Sequence, residues 1–197
     1  MGCDIHLYVE RRENGQWVSA DKWTPNPYYE NRFYTGRNYE LFAMLADVRN
    51  SGGITPIAAP RGLPADVSPE VKGESDRWAS DGHSHSWLTI AELNAYNWQQ
   101  PVKYEGCVDA ENYLKWKTFG EPESWCGSVG GGGVRVATHR KMEDSIRYGF
   151  GVQGTYTVVA WETPATGSAK HFLSTALPRL QALGNSDDVR IVFWFDN

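Results

Sequence analysis

The first stretch of the chain alternates cleanly between apolar and polar positions. Cys3, Ile5, Leu7 and Val9 share one parity and Asp4, His6, Tyr8 and Glu10 the other, the period-two pattern of a half-buried β-strand. Asn14-Gly15 is a hairpin turn signal, and Gln16 to Ser19 is the expected return strand. The period changes over Asn38 to Arg49, where Leu41, Met44, Leu45 and Val48 make a helical stripe closed by Asn50-Ser51-Gly52-Gly53. Ser68-Pro69-Glu70 reads as an N-cap with proline at the first helical position, so a short helix runs toward Ala79, weakened by Gly73. Thr89 and Glu92 have the spacing of a capping box, opening a helix to about Tyr96.

The C-terminal part is the most regular. Tyr156 to Trp161 is a strand, and Ser168 to Leu183 an amphipathic helix with Phe172, Leu173, Ala176, Leu177 and Leu180 on one face. Pro178 falls inside that helix and predicts a kink or break. Val189 to Phe195 is an almost unbroken apolar run, the mark of a central strand buried on both faces. Strand, helix, strand at this length suggests a right-handed crossover between parallel neighbours. The expected fold is α+β: one domain over residues 1–197 with a mixed sheet built from the N-terminal hairpin and the C-terminal strand-helix-strand. Helices should lie mainly on one face, and a long irregular insertion should occupy about residues 50–148, where the pattern degrades and Gly130 to Gly133 mark a loop.

Composition narrows the class of protein. The hydrophobic share of 41% and charged share of 22% suit a globular chain with a substantial core. A net charge of −5 lacks the positive footprint of a duplex-nucleic-acid binder. Cys3, Cys107 and Cys126 are odd in number and lack metal-knuckle spacing, so they read as reduced thiols. No apolar run approaches a membrane span, and the N-terminus lacks the apolar core of a signal peptide. Nine tryptophans are many for this length; they fit a core of large side chains and also a surface that stacks bases.

Candidate chemistry concentrates in two clusters, which hold three of the five histidines. Asp4 and His6 sit two apart on the first strand, the spacing by which a strand presents two ligands to one metal; a solvated polar face is the plain alternative. Asp81, His83 and His85 lie in what reads as a loop before the capped helix. The H-x-H segment resembles that of metal-dependent phosphoesterases and amidohydrolases, which place it at the end of a strand; here no strand obviously precedes it. Joined, Asp4, His6, Asp81, His83 and His85 would hold a divalent ion such as Zn, Mn or Mg, with Asp4, His6, His83 and His85 serving catalysis. Arg37 and Arg61, in or beside turns, are candidates to bind an anion, and Trp23, Tyr28 and Trp87 to stack a base. Asp196, ending the last strand, stands where sheets often carry functional groups.

The segments MGCDIHLYVE, RNYELFAMLADVRN, PRGLPADVS, DGHSHSWLTIAEL and VRIVFWFDN resemble a family of proteins encoded by tailed bacteriophages and prophages that begin MGCDIH. The resemblance covers both ends and the first half of the chain and is weakest from Trp98 to Gly149. It implies expression in a bacterial host cytoplasm during infection and carries over no activity. The resulting expectation is a metal-assisted hydrolase of a small phosphate-bearing, nucleotide-like substrate, in a phage setting a counter-defence enzyme. The rivals are a binding protein that sequesters such a ligand without turnover and an inhibitor of a host protein. A second copy of the chain is a further candidate partner.

Overall fold

A computed structural model describes residues 2–21 and 32–197. In chain order the elements begin β1 (Asp4–Glu13), β2 (Gln16–Ser19), α1 (Tyr39–Ala46), α2 (Pro69–Trp78), β3 (His83–Thr89), α3 (Ile90–Ala95) and β4 (Pro101–Val108). There follow α4 (Ala110–Phe119), β5 (Arg135–Val136), α5 (His139–Tyr148), β6 (Thr155–Pro164), α6 (Ala165–Ser168), a π-helical turn (Phe172–Ala176), α7 (Leu177–Gln181) and β7 (Val189–Asp196). The fold is α+β. Its residues divide into two compact units: the first runs to Gln100 and resumes at Pro164–Asn197, and the second is Pro101–Thr163. No described helix is long and apolar enough to cross a membrane.

The first unit is built on a four-stranded sheet in the order β2-β1-β7-β3. The hairpin forms as expected, with Asn14 and Gly15 both at positive φ in its turn. β7 is central, and every residue from Val189 to Phe195 is buried. Its two neighbours, β1 and β3, both run antiparallel to it. The expected parallel crossover from β6 to β7 does not occur, because β6 belongs to the other unit's sheet, ordered β4-β6-β5. An apolar run reports burial on both faces, and two covered faces serve an antiparallel strand as well as a parallel one.

One face of this sheet carries Tyr8, Val192 and Trp194, closed by Val71 of α2 with Leu63, Val67, Trp78 and Trp87 around them. The other carries Phe193 and Phe195, with Phe42 of α1 at 5.0 Å from Phe195 between ring centroids. α1 is buried on all sides from Leu41 to Ala46. Asn38 starts it by accepting from Leu41 N at 3.0 Å, and Asp47 ends it in the left-handed region, short of the expected Arg49. At Pro178 the helix does not stop, as a break would require: it widens into the π turn at Phe172–Ala176, which accommodates the proline's missing N–H, and continues as α7.

Residues 50–148 are not irregular, as the sequence pattern suggested; they hold α2, β3, α3, β4, α4, β5 and α5. The pattern fades there for a physical reason. α4 buries only Tyr113 and α5 only Met142. In the second unit these two residues meet Val108, Val159 and Trp161 in a small core.

Candidate functional site

The site grows from the pairing of β1 with β7. Asp4 stands opposite Asp196 and His6 opposite Trp194, and directly paired residues project from the same face of an antiparallel sheet. Asp4 N donates to Asp196 Oδ1 at 3.0 Å, which fixes one carboxylate oxygen. The other, Oδ2, lies 3.3 Å from His6 Nε2. His6 Nε2 is buried, and Asp196 is the acceptor nearest to it. Trp78, from the end of α2, lies against the imidazole with ring centroids 3.9 Å apart, and Trp194 supports it from the sheet at 5.9 Å.

Asp4 turns its carboxylate to Arg37, accepting from Nε at 2.8 Å and from Nη2 at 2.6 Å. That bidentate bond holds the Asp4 carboxyl below its ordinary value and raises the guanidinium's. Burial pushes the His6 imidazole down, against the opposing pull of Asp196, so the ring tends to neutrality. Next along the strand, burial pushes the Tyr8 phenol up to about 12, and the guanidinium of Arg32 lies 4.4 Å from its ring centroid. The open end of the sheet therefore combines a neutral imidazole, two carboxylates and arginine.

The second histidine cluster is a strand and not a loop. β3 pairs with β7, but with an irregularity: His83 stands opposite Phe195 and Ser86 opposite Phe193, so one residue is extra. Ser84 absorbs it with φ of 52°. In a regular strand His83 and His85 would share a face; the bulge separates them. His83 lies near Phe195, at 6.1 Å between ring centroids, while His85 stacks on Trp194 at 5.4 Å. His6 and His85 thus share the face of Trp194, with β7 between their strands, and His83 goes to the opposite face.

The five expected metal ligands are not one cluster. Asp81 is exposed in the turn after α2. His85 Nε2 is 3.0 Å from Ser75 Oγ, and burial lowers its basicity, with the charge of His83 adding to the effect. His83 Nδ1 meets Ser84 Oγ at 3.0 Å. Among the described residues no three of His, Cys, Asp and Glu are grouped to hold a metal ion.

The expected ligand-binding residues divide as well. Arg37 is at the site through Asp4. Arg61 instead bonds Glu92, at 2.6 Å from Nη2 to Oε1, and lies 4.9 Å from the Trp87 ring. Glu92 closes the capping box with Thr89, so Arg61 and Trp87 brace the start of α3. Trp23 and Tyr28 lie outside the described residues. Sequence reasoning placed Asp196 only at a strand end and missed its approach to His6; its one signal was the polar residue closing an apolar run. Trp78 and Trp194 gave no signal beyond their apolarity. Compared with known proteins, the chain matches no family, no curated protein and no solved structure.

Proposed function

We propose that the chain is a hydrolase of a small phosphate-bearing, nucleotide-like substrate, centred on His6 and Asp196 at the open end of the first sheet. The observation that carries this reading is the approach of the buried His6 Nε2 to Asp196 Oδ2, 3.3 Å apart. Metal–ligand bonds of about 2.0–2.2 Å at tetrahedral angles put neighbouring donors about 3.3–3.6 Å apart. The pair therefore fits two ligands of one tetrahedral divalent cation, Zn²⁺ above all, with the other positions left to water and substrate oxygens. A cation there would supply Lewis-acid activation of water and neutralise phosphate charge.

The protein's own groups do the rest. Burial keeps His6 neutral and so able to coordinate. The Asp4 N–H orients the Asp196 carboxylate, and Trp78 fixes the plane of the imidazole. Arg37 offers a guanidinium to the phosphate, in exchange for part of its bond to Asp4. His83, His85 and Arg61 are left out of this centre. The resemblance to phage proteins supports a setting in the bacterial host cytoplasm, where such an enzyme would act on nucleotide pools or a defence signal.

The test is a panel of mononucleotides, cyclic nucleotides and phosphodiesters incubated with the protein and Zn²⁺ or Mn²⁺, read by mass spectrometry. The expected result is a hydrolysed substrate in wild type and none in His6→Ala. A nucleotide retained intact on the protein would replace this reading with sequestration.

A further inference from the structure

We propose that Cys107 and Cys126 in the second unit form a reversible dithiol–disulfide couple. Cys107 lies near the end of β4, and Cys126 follows 19 residues later, after α4. The two residues form an isolated antiparallel bridge. Cys107 N donates to Cys126 O at 2.8 Å and Cys126 N donates to Cys107 O at 3.1 Å. Residues that exchange both bonds are directly opposite, with side chains on one face and Cα atoms about 5.5 Å apart. That separation lies inside the range a disulfide spans. The Cys126 thiol already leans over its partner, with Sγ 3.6 Å from the Cys107 carbonyl oxygen.

Access is asymmetric. Cys107 is 6% exposed, and Cys126 is only half-buried. Cys126 is therefore the thiol that meets an oxidant and Cys107 the one that resolves the adduct. With a small-molecule disulfide as oxidant, the Cys126 thiolate attacks one sulfur and releases the first small thiol. The Cys107 thiolate then attacks Cys126 Sγ and releases the second. The two cysteine protons end on the two released thiols; the cysteine pair is oxidised and the small disulfide reduced. The link ties the segment after α4 to β4. Cys3, in the first unit and fully buried, stays a thiol.

The experiment incubates the purified full-length chain with oxidised glutathione, unfolds it, counts thiols with a chromogenic disulfide and maps peptides by mass. The expected result is a fall from three thiols to one and a cross-linked peptide joining Cys107 to Cys126. Three remaining thiols, or a stable glutathione adduct without the cross-link, would overturn the proposal. Cys126→Ser is expected to keep both of its thiols; loss of both in that variant would mean that Cys107 pairs elsewhere, which also overturns it.

Discussion

Arg190 donates from Nε to Glu10 Oε2 at 2.7 Å, between side chains that are 3% and 0% exposed. The pair sits on the same sheet face as His6, four strand positions further in, because Glu10 stands opposite Arg190 in the β1–β7 register. Glu10 also accepts from Ser68 N, and Arg190 reaches Asp66 while its guanidinium lies 4.0 Å from the Trp17 ring centroid. A buried charge left without its partner costs about 3–5 kcal/mol. Arg190→Met, which strips Glu10 of its countercharge, is expected to lose that much in urea denaturation, and Glu10→Ala, which leaves Arg190 its bond to Asp66, to lose less. The double variant should lose less than the sum, since it leaves no unpaired charge.

Asp21 gives stability a pH dependence of known sign. Its Oδ2 accepts from Val9 N at 2.7 Å, while Oδ1 is buried without a hydrogen-bond partner. Burial raises its carboxyl to about 6, the nearby charge of Glu10 adding to the rise and the Val9 bond, Arg32 and Arg179 opposing it. The folded state thus holds this proton when the unfolded state has lost it. The associated stability is fully present below about pH 4 and is lost as pH rises through about 6, at a cost of about 3 kcal/mol. Asp21→Asn keeps an acceptor for Val9, so its denaturation midpoints should fall less than those of wild type between pH 4 and 7. Parallel profiles would refute this assignment.

Gly154 sets the parallel pairing of β5 with β6. Its φ is +71°, and a Cβ there would stand 2.4 Å from the Gly133 carbonyl oxygen. Its own carbonyl accepts from Arg135 N at 2.9 Å. Gly154→Ala combines left-handed strain with a clash against backbone, so a loss of about 2 kcal/mol or more is expected in thermal or chemical unfolding. An unchanged midpoint would show that the Gly133 loop yields freely.

The capping box at α3 is a smaller test of local sequence logic. Thr89 N donates to Glu92 Oε2 at 2.9 Å, and Glu92 N donates to Thr89 Oγ1 at 3.2 Å. Thr89→Ala removes one arm and should cost about 1 kcal/mol. Arg61 depends on the same Glu92, so Arg61→Ala combined with Thr89→Ala should be non-additive. Strict additivity would mean that the two contacts act independently.

Where a single period governs several residues, the sequence is a good guide: Asp4 to Glu10, Val189 to Phe195, Leu41, Met44 and Leu45 of the helical stripe and the Thr89–Glu92 box lie in the elements their pattern implies, while Cys3 precedes β1 and Val48 lies beyond the end of α1. His83 to Ser86 misleads because the segment is polar and carries a bulge. Neither feature has a periodic signature, and the bulge turns His83 away from His85. The site was half legible. Asp4 and His6 were visible from their spacing, but Asp196 reaches them through pairing across 192 positions, a distance that no local pattern encodes. The second unit was least legible, since its helices each bury a single residue.

The central claim is that His6 and Asp196 hold one divalent cation. Metal-stripped protein titrated with Zn²⁺ and Mn²⁺ in a calorimeter tests it most directly, with His6→Ala, Asp196→Asn and His83→Ala alongside. The account predicts about one site per chain in wild type and His83→Ala, and loss of the heat signal in His6→Ala and Asp196→Asn. No binding by folded wild-type protein, or binding unchanged in His6→Ala, would contradict it.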